Sequence, residues 1–293
     1  RGMVNVGFVG VGLMGHGMAK NLMQCGHSLS IIGHRNRAPV DDLVAKGASE
    51  VRTYDAMAAA CEVIFLCLSN SDVVAQVVRE LKSHLRAGQT IVDATTARPE
   101  VTKALHSELR EIDVDLVDAP ITANPEKAEL GELTSLVGAE EEPFQWVRPL
   151  IETYSAQVLY FGAPGMGHTA KLMNNFVTQS TGQLLALAYS VARQAGVDWG
   201  KLHAAMSGGA ARSGTFEKMV APALEGDYRG HEFSLENSWK DIRYFAEFAE
   251  SLGRRTELVD GVETALRRIN DAGFGDRYVS ELLDPVVDEA LRA

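Results

Sequence analysis

A short apolar segment followed at once by three spaced glycines is the feature that most constrains how this chain folds. Residues 4–9 predict a buried strand, the pattern G-x-G-x-x-G occupies residues 10–15, and residues 14–24 predict a helix. A second strand is predicted at residues 29–32. Because strand, glycine turn, helix and strand follow in this order, the segment indicates a nucleotide-binding β-α-β unit rather than a plain glycine-rich turn.

Each glycine of this turn has its own expected function. Gly10 makes the tight turn, Gly12 lets the backbone approach a pyrophosphate, and Gly15 lets the helix pack against the strand. The free N–H groups at the start of the helix would then bind the phosphates. We predict that these glycines contact a cofactor together with Leu13 and Met14, which lie between them.

The residues after the second strand indicate which dinucleotide is preferred. A site that prefers NAD usually has an acid there, which accepts a hydrogen bond from the ribose 2′-hydroxyl. This chain instead has His34, Arg35, Asn36 and Arg37, and no acid before Asp41. Because arginine can grip a 2′-phosphate with two hydrogen bonds, these residues predict a cofactor site that prefers NADP, with NAD as the other candidate. The alternative is that both arginines are ordinary surface residues of a turn.

Strands and helices continue to alternate up to about residue 160, as in a doubly wound parallel sheet. The later predicted strands are Val63–Leu68, Thr90–Asp93, Val114–Asp118, Leu133–Val137 and Val158–Phe161, and the helices between them are Asp72–Leu85, Pro99–Leu109 and Glu142–Tyr154. A chain of 293 residues also favours two domains. We predict an α/β fold whose N-terminal domain, residues 1–163, is an NAD(P)-binding domain of the Rossmann type.

The remainder of the chain has a helical pattern only. Ala170–Ala195 predicts one long helix, which ends at Gly196, a residue type favoured just after a helix. Further helices are predicted at Lys201–Ala205, Gly214–Leu224, Leu235–Ser251, Glu257–Asp271 and Ser280–Leu291. We therefore predict an all-α domain at residues 164–293, built on the long helix, for substrate binding and oligomerisation.

Composition excludes several classes of partner. The net charge is −11, which argues against non-specific binding to nucleic acid or to an anionic membrane surface. No apolar run reaches membrane-spanning length, and the chain enters its first strand without a signal-peptide pattern. The three cysteines, Cys25, Cys61 and Cys67, have no metal-site spacing and predict buried thiols of a reducing cytoplasm. The histidines form no cluster that predicts a metal site.

The segment from Gly165 to Asn175 carries the candidate chemistry. It follows a glycine-rich turn and places Lys171 four residues before Asn175, so that both side chains share one face of the predicted helix. A lysine held by a polar neighbour suits proton transfer to or from an alcohol oxygen. His168 is expected to fill the helix start, because Lys171 already supplies the acid or base.

Four ordered segments resemble the β-hydroxyacid dehydrogenase family. The family includes 3-hydroxyisobutyrate dehydrogenases, tartronate semialdehyde reductases and glyoxylate/succinic semialdehyde reductases. The matching segments are Gly7–Gly15, Asp118–Thr122, Gly165–Asn175, and Phe233 with Lys240 and Asp241. The resemblance covers nearly the whole chain, and its second half resembles the C-terminal domain of 6-phosphogluconate dehydrogenase.

The resemblance implies an oxidoreductase that acts on CH–OH groups (EC 1.1.1 type) and moves hydride between nicotinamide and a small acid or semialdehyde. Lys171 would be the general acid/base, and Asn175 would orient it or bind substrate. The implied substrate-binding residues are Thr122, Ala123, Asn124, Asn174, Phe233 and Asp241. The resemblance also implies cofactor-binding residues besides the glycine turn and residues 34–37. They are Leu68, Ser69, Thr96 and Lys240. A homodimer or homotetramer is the family expectation.

The acid-binding segment departs from the family pattern. Family members usually carry Ser-Gly-Gly, whose hydroxyl and backbone N–H groups bind the substrate carboxylate, whereas this chain has Thr122, Ala123 and Asn124. Glycine alone adopts positive φ freely, so the change either is neutral or marks another acid group or a bulkier substrate: a sulfonate, a phosphonate or a substituted hydroxy acid. Tyr278 stands at another position where the family often has an acid. A different class of function, an NADPH-binding scaffold or sensor without turnover, also stays open.

Overall fold

A computed structural model describes residues 2–292, and six parallel strands form the centre of its first part. The strands are β1 (Asn5–Val9), β2 (Ser28–Ile32), β3 (Ser49–Val51), β4 (Val63–Leu66), β5 (Thr90–Asp93) and β6 (Asp115–Asp118). Their order in the sheet is β3-β2-β1-β4-β5-β6, with every pair parallel. This order reverses beside β1, at the position where doubly wound sheets bind ligands, and confirms the predicted α/β fold.

Helices cover the sheet between successive strands. They are α1 (Leu13–Gln24), α2 (Ala38–Ala45), α3 (Tyr54–Ala60), α4 (Ser71–Lys82) and α5 (Pro99–Arg110). The chain then forms β7 (Ile121–Thr122), α6 (Pro125–Leu130), β8 (Leu133–Val137), α7 (Glu141–Ile151) and β9 (Ser155–Tyr160). Strand β8 pairs antiparallel with β7 and parallel with β9 in a second, three-stranded sheet.

The central strands are apolar on both faces because helices cover both faces. All four residues of β4 and of β5 are buried. Alternate residues enter opposite cores: Phe8 and Phe65 stack in one, with ring centroids 5.9 Å apart, whereas Ile64 and Leu66 lie in the other. Because all six strands are parallel, their carboxyl ends and the loops that follow them lie along the same edge of the sheet.

The second part of the described chain is helical. It contains α8 (Met166–Ala195), α9 (Trp199–Ser207), α10 (Gly214–Leu224), α11 (Leu235–Ser251), α12 (Glu257–Ile269), a π-helical turn (Asn270–Phe274), a 3-10 turn (Val279–Leu283) and α13 (Pro285–Arg292). The chain separates into two compact units between Lys171 and Leu172, so that α8 belongs to both. The domain boundary after residue 163 stays a prediction, and the terminal residues 1 and 293 of those domains lie outside the described part.

Two predictions from the sequence are wrong. The helix expected over Ser280–Leu291 is interrupted, because Pro285 lacks an N–H group and begins a new helix after the 3-10 turn. The thiols are not uniformly buried: Cys61 is buried, Cys67 is partly buried and Cys25 is exposed.

Two features are absent from residues 2–292. No helix in this range has the length and hydrophobicity needed to cross a membrane. Nor does it contain a group of three His, Cys, Asp or Glu side chains placed to hold a metal ion.

Candidate active site

The glycine turn between β1 and α1 can be explained residue by residue. Gly10 has φ +96°, and a Cβ on it would lie 2.1 Å from the carbonyl oxygen of Cys67. A Cβ on Gly15 would lie 1.9 Å from the carbonyl oxygen of Gly10. Apart from the chain neighbours of Gly12, no described residue places an atom within 4 Å of a Cβ on Gly12. Two of the glycines are therefore required by the local packing, whereas Gly12 leaves open space above the turn.

The start of α1 lacks the groups that usually satisfy a helix N-terminus. Gly12 is the N-cap residue, no side chain caps the helix, and the first turn contains no acid. Leu13 is 75% exposed and Met14 is partly buried. Backbone N–H groups of this kind bind an anion, and the open space at Gly12 admits one, so these residues fit the pyrophosphate of a dinucleotide.

The segment after β2 contains two arginines in different environments. Both terminal nitrogens of the Arg37 guanidinium donate to carboxylates: Nη1 to Glu50 at 2.7 Å and Nη2 to Asp41 at 2.9 Å. Arg35 is exposed and forms no hydrogen bond or ion pair within residues 2–292. His34 is also exposed, and Asn36 Oδ1 accepts from the backbone N–H of Ala38. Arg35 is thus the arginine left available for a ligand.

The loops after β4 and β5 are joined through Thr95. Its hydroxyl accepts from the N–H of Leu68 at 2.9 Å, and its own N–H donates to Asp93 Oδ1 at 3.0 Å. Burial raises the pKa of the Asp93 carboxyl. Ser69 is exposed and Thr96 is partly buried beside these bonds. Thr95, which sequence reasoning did not select, therefore holds the two loops that carry the predicted cofactor residues.

Helix α8 begins on a carboxylate from β6. Asp118 accepts from the N–H of Gly165 at 2.8 Å and from the N–H of His168 at 2.9 Å. The buried imidazole of His168 lies 2.6 Å from the hydroxyl of Thr102 and donates from Nε2 to the carbonyl of Thr95 at 2.7 Å. These bonds support the expected helix-start role of His168. Asp118 was missed as a cap because its contact is long-range, although it stands in the segment Asp118–Thr122.

Lys171 lies in the second turn of α8 and is 8% exposed. Asn174 and Asn175 follow one turn later on the same helix. Such burial is unusual for a lysine and needs a polar environment. The helix thereby presents an amine and an amide at the i, i+4 spacing that the sequence predicted.

In the second unit, Asn175 is held by a buried carboxylate. Its Nδ2 donates to Asp241 Oδ2 at 2.7 Å, and Asn174 donates to Asn175 Oδ1 at 3.0 Å. Asp241 is 1% exposed, and Lys240 Nζ lies 3.6 Å from its Oδ1. The structure therefore brings together four of the predicted residues of this unit.

Further contacts fix α8 against α11. Ser238 donates to Gln179 Oε1 at 2.7 Å, and the rings of Phe176 and Phe245 stack with centroids 4.0 Å apart. Gln179 follows Asn175 by one helical turn, so a hydrogen bond on each of two successive turns sets the rotation of α8. Sequence spacing alone did not reveal Gln179, because its partner is distant in the chain.

Phe233 and Tyr278 lie on two adjacent segments of the helical unit, which are joined by a hydrogen bond from the N–H of Val279 to the carbonyl of Phe233 at 2.8 Å. Phe233 is partly buried with its ring 6.2 Å from that of His231. The guanidinium of Arg229 lies 4.6 Å from the ring of Tyr278. Tyr278 therefore carries a cation–π contact at the position where the family often has an acid.

Within the segment Thr122–Asn124, Ala123 departs from glycine in residue type but not in conformation, whereas Asn124 is extended with φ −135°. Ala123 has φ +109°, in the region that glycine favours. Asn124 Oδ1 accepts from the N–H of Lys127 at 2.9 Å and caps α6. Thr122, partly buried, pairs with Thr134 of β8. The loop thus has a glycine-like backbone conformation at one position, Ala123, although the residue there is an alanine.

Comparison with known proteins identifies related sequences over the whole described chain. The model described as the NAD binding domain of 6-phosphogluconate dehydrogenase matches residues 5–162. A second, described as NAD-binding of NADP-dependent 3-hydroxyisobutyrate dehydrogenase, matches residues 165–286. The first match alone covers more than half of the chain.

Two relatives and one solved structure illustrate the similarity. The 2-hydroxy-3-oxopropionate reductase of Escherichia coli (strain K12) is 31% identical over 73% of this chain and 74% of its own. The 2-(hydroxymethyl)glutarate dehydrogenase of Eubacterium barkeri is 30% identical over 82% and 80%, respectively. The structure of Mycobacterium tuberculosis 3-hydroxyisobutyrate dehydrogenase with L-serine shares the fold, with a TM-score of 0.87 at 21% identity, over 99% of this chain and 100% of that one. Together with the glycine turn of this chain, these matches show that the chain belongs to the β-hydroxyacid dehydrogenase family, as an NAD(P)-dependent oxidoreductase of the hydroxyacid dehydrogenase and semialdehyde reductase type.

Proposed function

We propose that this enzyme transfers hydride between NADP and a small β-hydroxy acid or the matching semialdehyde, with Lys171 as general acid/base. The observation that carries the proposal is the largely buried Lys171 one turn before Asn175, whose amide is held by Asp241. A buried amine with a fixed amide on the next turn suits proton transfer at an alcohol oxygen.

The side chains of the protein would handle the proton and the charge. Bound nicotinamide would supply the hydride acceptor or donor. In oxidation, the amine of Lys171 would take the hydroxyl proton of the substrate. In reduction, its ammonium would stabilise and then protonate the forming alkoxide. Asp241 would keep the amide of Asn175 in one orientation, so that its remaining donor or acceptor groups orient Lys171 or bind substrate.

Arg35 supports the preference for NADP. It is exposed beyond β2, where a 2′-phosphate would be bound, whereas Arg37 is already neutralised by Glu50 and Asp41. We therefore propose that Arg35, rather than Arg37, is the principal ligand of the 2′-phosphate. The description of the second family model as NADP-dependent agrees with it.

A carboxylate is the favoured acid group of the substrate. The names of the two relatives specify small carboxylic acids that carry an aldehyde or a hydroxymethyl group. The alternative, a sulfonate or phosphonate analogue, is favoured by one observation: Ala123 adds a side chain at a backbone position with φ +109°. That methyl group changes the space beside Thr122, where the acid group would be bound.

A cofactor-coupled screen tests the proposal directly. NADP and NAD reduction at 340 nm would be followed with 3-hydroxyisobutyrate, L-serine, glycerate, 4-hydroxybutyrate, and a hydroxyalkyl sulfonate and phosphonate, with the matching aldehydes in the reverse direction. We expect turnover of a carboxylate with NADP preferred. Activity on the sulfonate or phosphonate alone would establish the alternative, and tight NADPH binding without any turnover would establish a sensor.

The role of Lys171 is tested by Lys171→Ala. We expect a loss of at least about a thousandfold in kcat, as for removal of a general acid/base that also stabilises charge, with NADPH affinity near wild type. Lys201→Ala, at an exposed lysine of α9, is the matched control and should keep full activity. Unchanged turnover in Lys171→Ala would remove Lys171 from the mechanism.

The assembly and its setting are also proposed. Helix α8 exposes an apolar stripe made of Val177, Leu184, Leu187 and Val191. This stripe supports a homodimer or homotetramer, since patches of this kind mark protein contacts. Free thiols at all three cysteines support a reducing, cytoplasmic setting.

A further inference from the structure

Helix α6 connects the proposed substrate loop to the cofactor helix. At its beginning, Ala123 holds φ +109° and Asn124 caps the first turn. On the other side of Ala123, β7 is fixed by pairing of Ile121 with Ser135 and of Thr122 with Thr134. A strained residue of this kind persists only where the structure on both sides determines its conformation. The contacts that fix the far end of α6 therefore help to determine the backbone conformation of Ala123.

The far end of α6 docks on α1 at very close range. A Cβ on Gly17 would lie 2.5 Å from the carbonyl carbon of Ala128, so only glycine permits this approach. Asn21 Nδ2 donates to the carbonyl oxygens of Ala128 at 2.9 Å and Glu129 at 3.3 Å. The side chain of Asn21 thus bonds the last turn of α6 to α1, where the carbonyl oxygen of Ala128 also accepts from the backbone N–H of Gly131 at 3.2 Å.

The carboxylate of Glu129 adds a charged anchor. Its Oε1 lies 2.5 Å from Nδ1 of His16, and its Oε2 accepts from Nζ of Lys20. Nε2 of His16 lies 2.6 Å from Asp42 Oδ2 of α2, and Lys46 also bonds Asp42. Each ring nitrogen of His16 thus lies within hydrogen-bond distance of a carboxylate, so this side chain joins α6 to α2.

Glu129 is held in its charged form by these contacts. Partial burial works to raise its pKa, but the hydrogen bonds from Lys20 and His16 outweigh burial and hold the pKa of Glu129 below its ordinary value. The anchor is therefore present at neutral pH.

We propose that Glu129 is a positioning residue for the substrate loop. By tying the end of α6 to His16 and Lys20 of the cofactor helix, it holds Ala123 in the left-handed conformation that shapes Thr122–Asn124. This inference rests on the proposed role of that loop in binding the acid group. It also explains how an alanine persists where a glycine conformation is needed: the anchor supplies the constraint that the residue itself does not.

A double-mutant cycle tests the proposal through KM. Glu129→Gln keeps the shape of the side chain and removes its charge, and we expect it to raise KM for the acid substrate about tenfold, equivalent to about 1.4 kcal/mol. The KM for NADPH and kcat should change less than about twofold. In an Ala123→Gly background, the same substitution should raise KM less than about twofold, because glycine adopts this φ without a side-chain penalty.

The control is Glu126→Gln, at an exposed acid in the first turn of the same helix. It should leave KM unchanged. An equal rise of KM for Glu129→Gln in both backgrounds would show a general structural effect and overturn the proposal, as would no rise in either.

A second measurement does not depend on turnover. Hydrogen exchange of peptides covering residues 119–131 should become faster in Glu129→Gln, and this increase should be smaller when Ala123→Gly is also present. If wild-type enzyme turns over no substrate of the panel, the proposed function fails, yet the exchange cycle still decides the anchor. Exchange that is unchanged in Glu129→Gln would overturn it.

Discussion

At the scale of single residues, the structure separates side chains that the sequence makes equivalent. Arg35 and Arg37 are both arginines in one loop, and their residue type alone predicts the same role. Arg37, however, has two carboxylate partners, whose hydrogen bonds raise its pKa further. The guanidinium of Arg37 already donates three hydrogen bonds to Glu50 and Asp41, whose two carboxylates balance its charge, so it attracts a phosphate less strongly than Arg35 does.

Substitution of these arginines one at a time tests this difference. Arg35→Ala should raise KM for NADP about ten- to a hundredfold, the effect of losing a hydrogen-bonded charge contact, and change KM for NAD little. Arg37→Ala should change the ratio of the two KM values by less than about threefold. Initial rates with both cofactors measure this, and a larger effect from Arg37 than from Arg35 would contradict the assignment.

The same contrast shows which parts of the site could be predicted. Lys171, Asn175 and the glycines lie at local spacings, and the structure gives them the predicted local geometry. Asp118, Thr95 and Gln179 act through partners far away in sequence, with Asp118 and His168 separated by fifty positions. No periodicity reports such contacts, so sequence reasoning about a single chain does not find them.

At the scale of elements, length and burial decided what the sequence could predict. The buried strands β4 and β5 and the long amphipathic helix α11 follow strong patterns and were predicted. The short elements β3, β7 and α6 were not, because so few residues carry little periodic signal and owe their stability to tertiary contacts. Helix α8 begins at Met166 rather than at Ala170, since Asp118 caps it from another strand.

The connection between α10 and α11 makes stability depend on pH. His231 lies there. Its backbone N–H donates to the hydroxyl of Ser280, and that hydroxyl donates to the backbone carbonyl of Tyr228. Burial, with a smaller effect from the charge of Lys218, lowers the pKa of His231 to about 4. The unfolded chain takes up this proton near pH 6.5, whereas the folded chain does so only near pH 4, so stability falls as pH drops through that interval.

Chemical unfolding at pH 7 and pH 4.5 measures this contribution. Wild type should lose up to about 3 kcal/mol from this group over the interval, and His231→Gln should lose correspondingly less. His84→Gln, at an exposed histidine, should follow wild type. Equal pH dependence in wild type and His231→Gln would show that His231 is not buried in its neutral form.

At the scale of the whole molecule, α8 carries more than the proposed chemistry. Beyond Asn175 it exposes Val177, Leu184, Leu187 and Val191, each more than half accessible. Three of them repeat every seven residues and form a stripe about 21 Å long, from the 1.5 Å rise per residue of a helix. The opposite side of the same helix packs into the helical core through Leu185 and Tyr189. A helix apolar on both sides is expected to be covered on both.

A second copy of the chain is the partner we predict for this stripe. Two such helices packed together would bury the exposed leucines, and paired acids in their place would repel across the contact. Leu184→Glu with Leu187→Glu should therefore convert the dimer or tetramer to a monomer in sedimentation or light-scattering measurements, while Leu258→Glu, at an equally exposed leucine of α12, should not. Because Lys171 and Asn175 lie on the same helix, lower activity of that monomer would further connect assembly with catalysis. A monomeric wild type would leave the stripe without this partner and contradict the prediction.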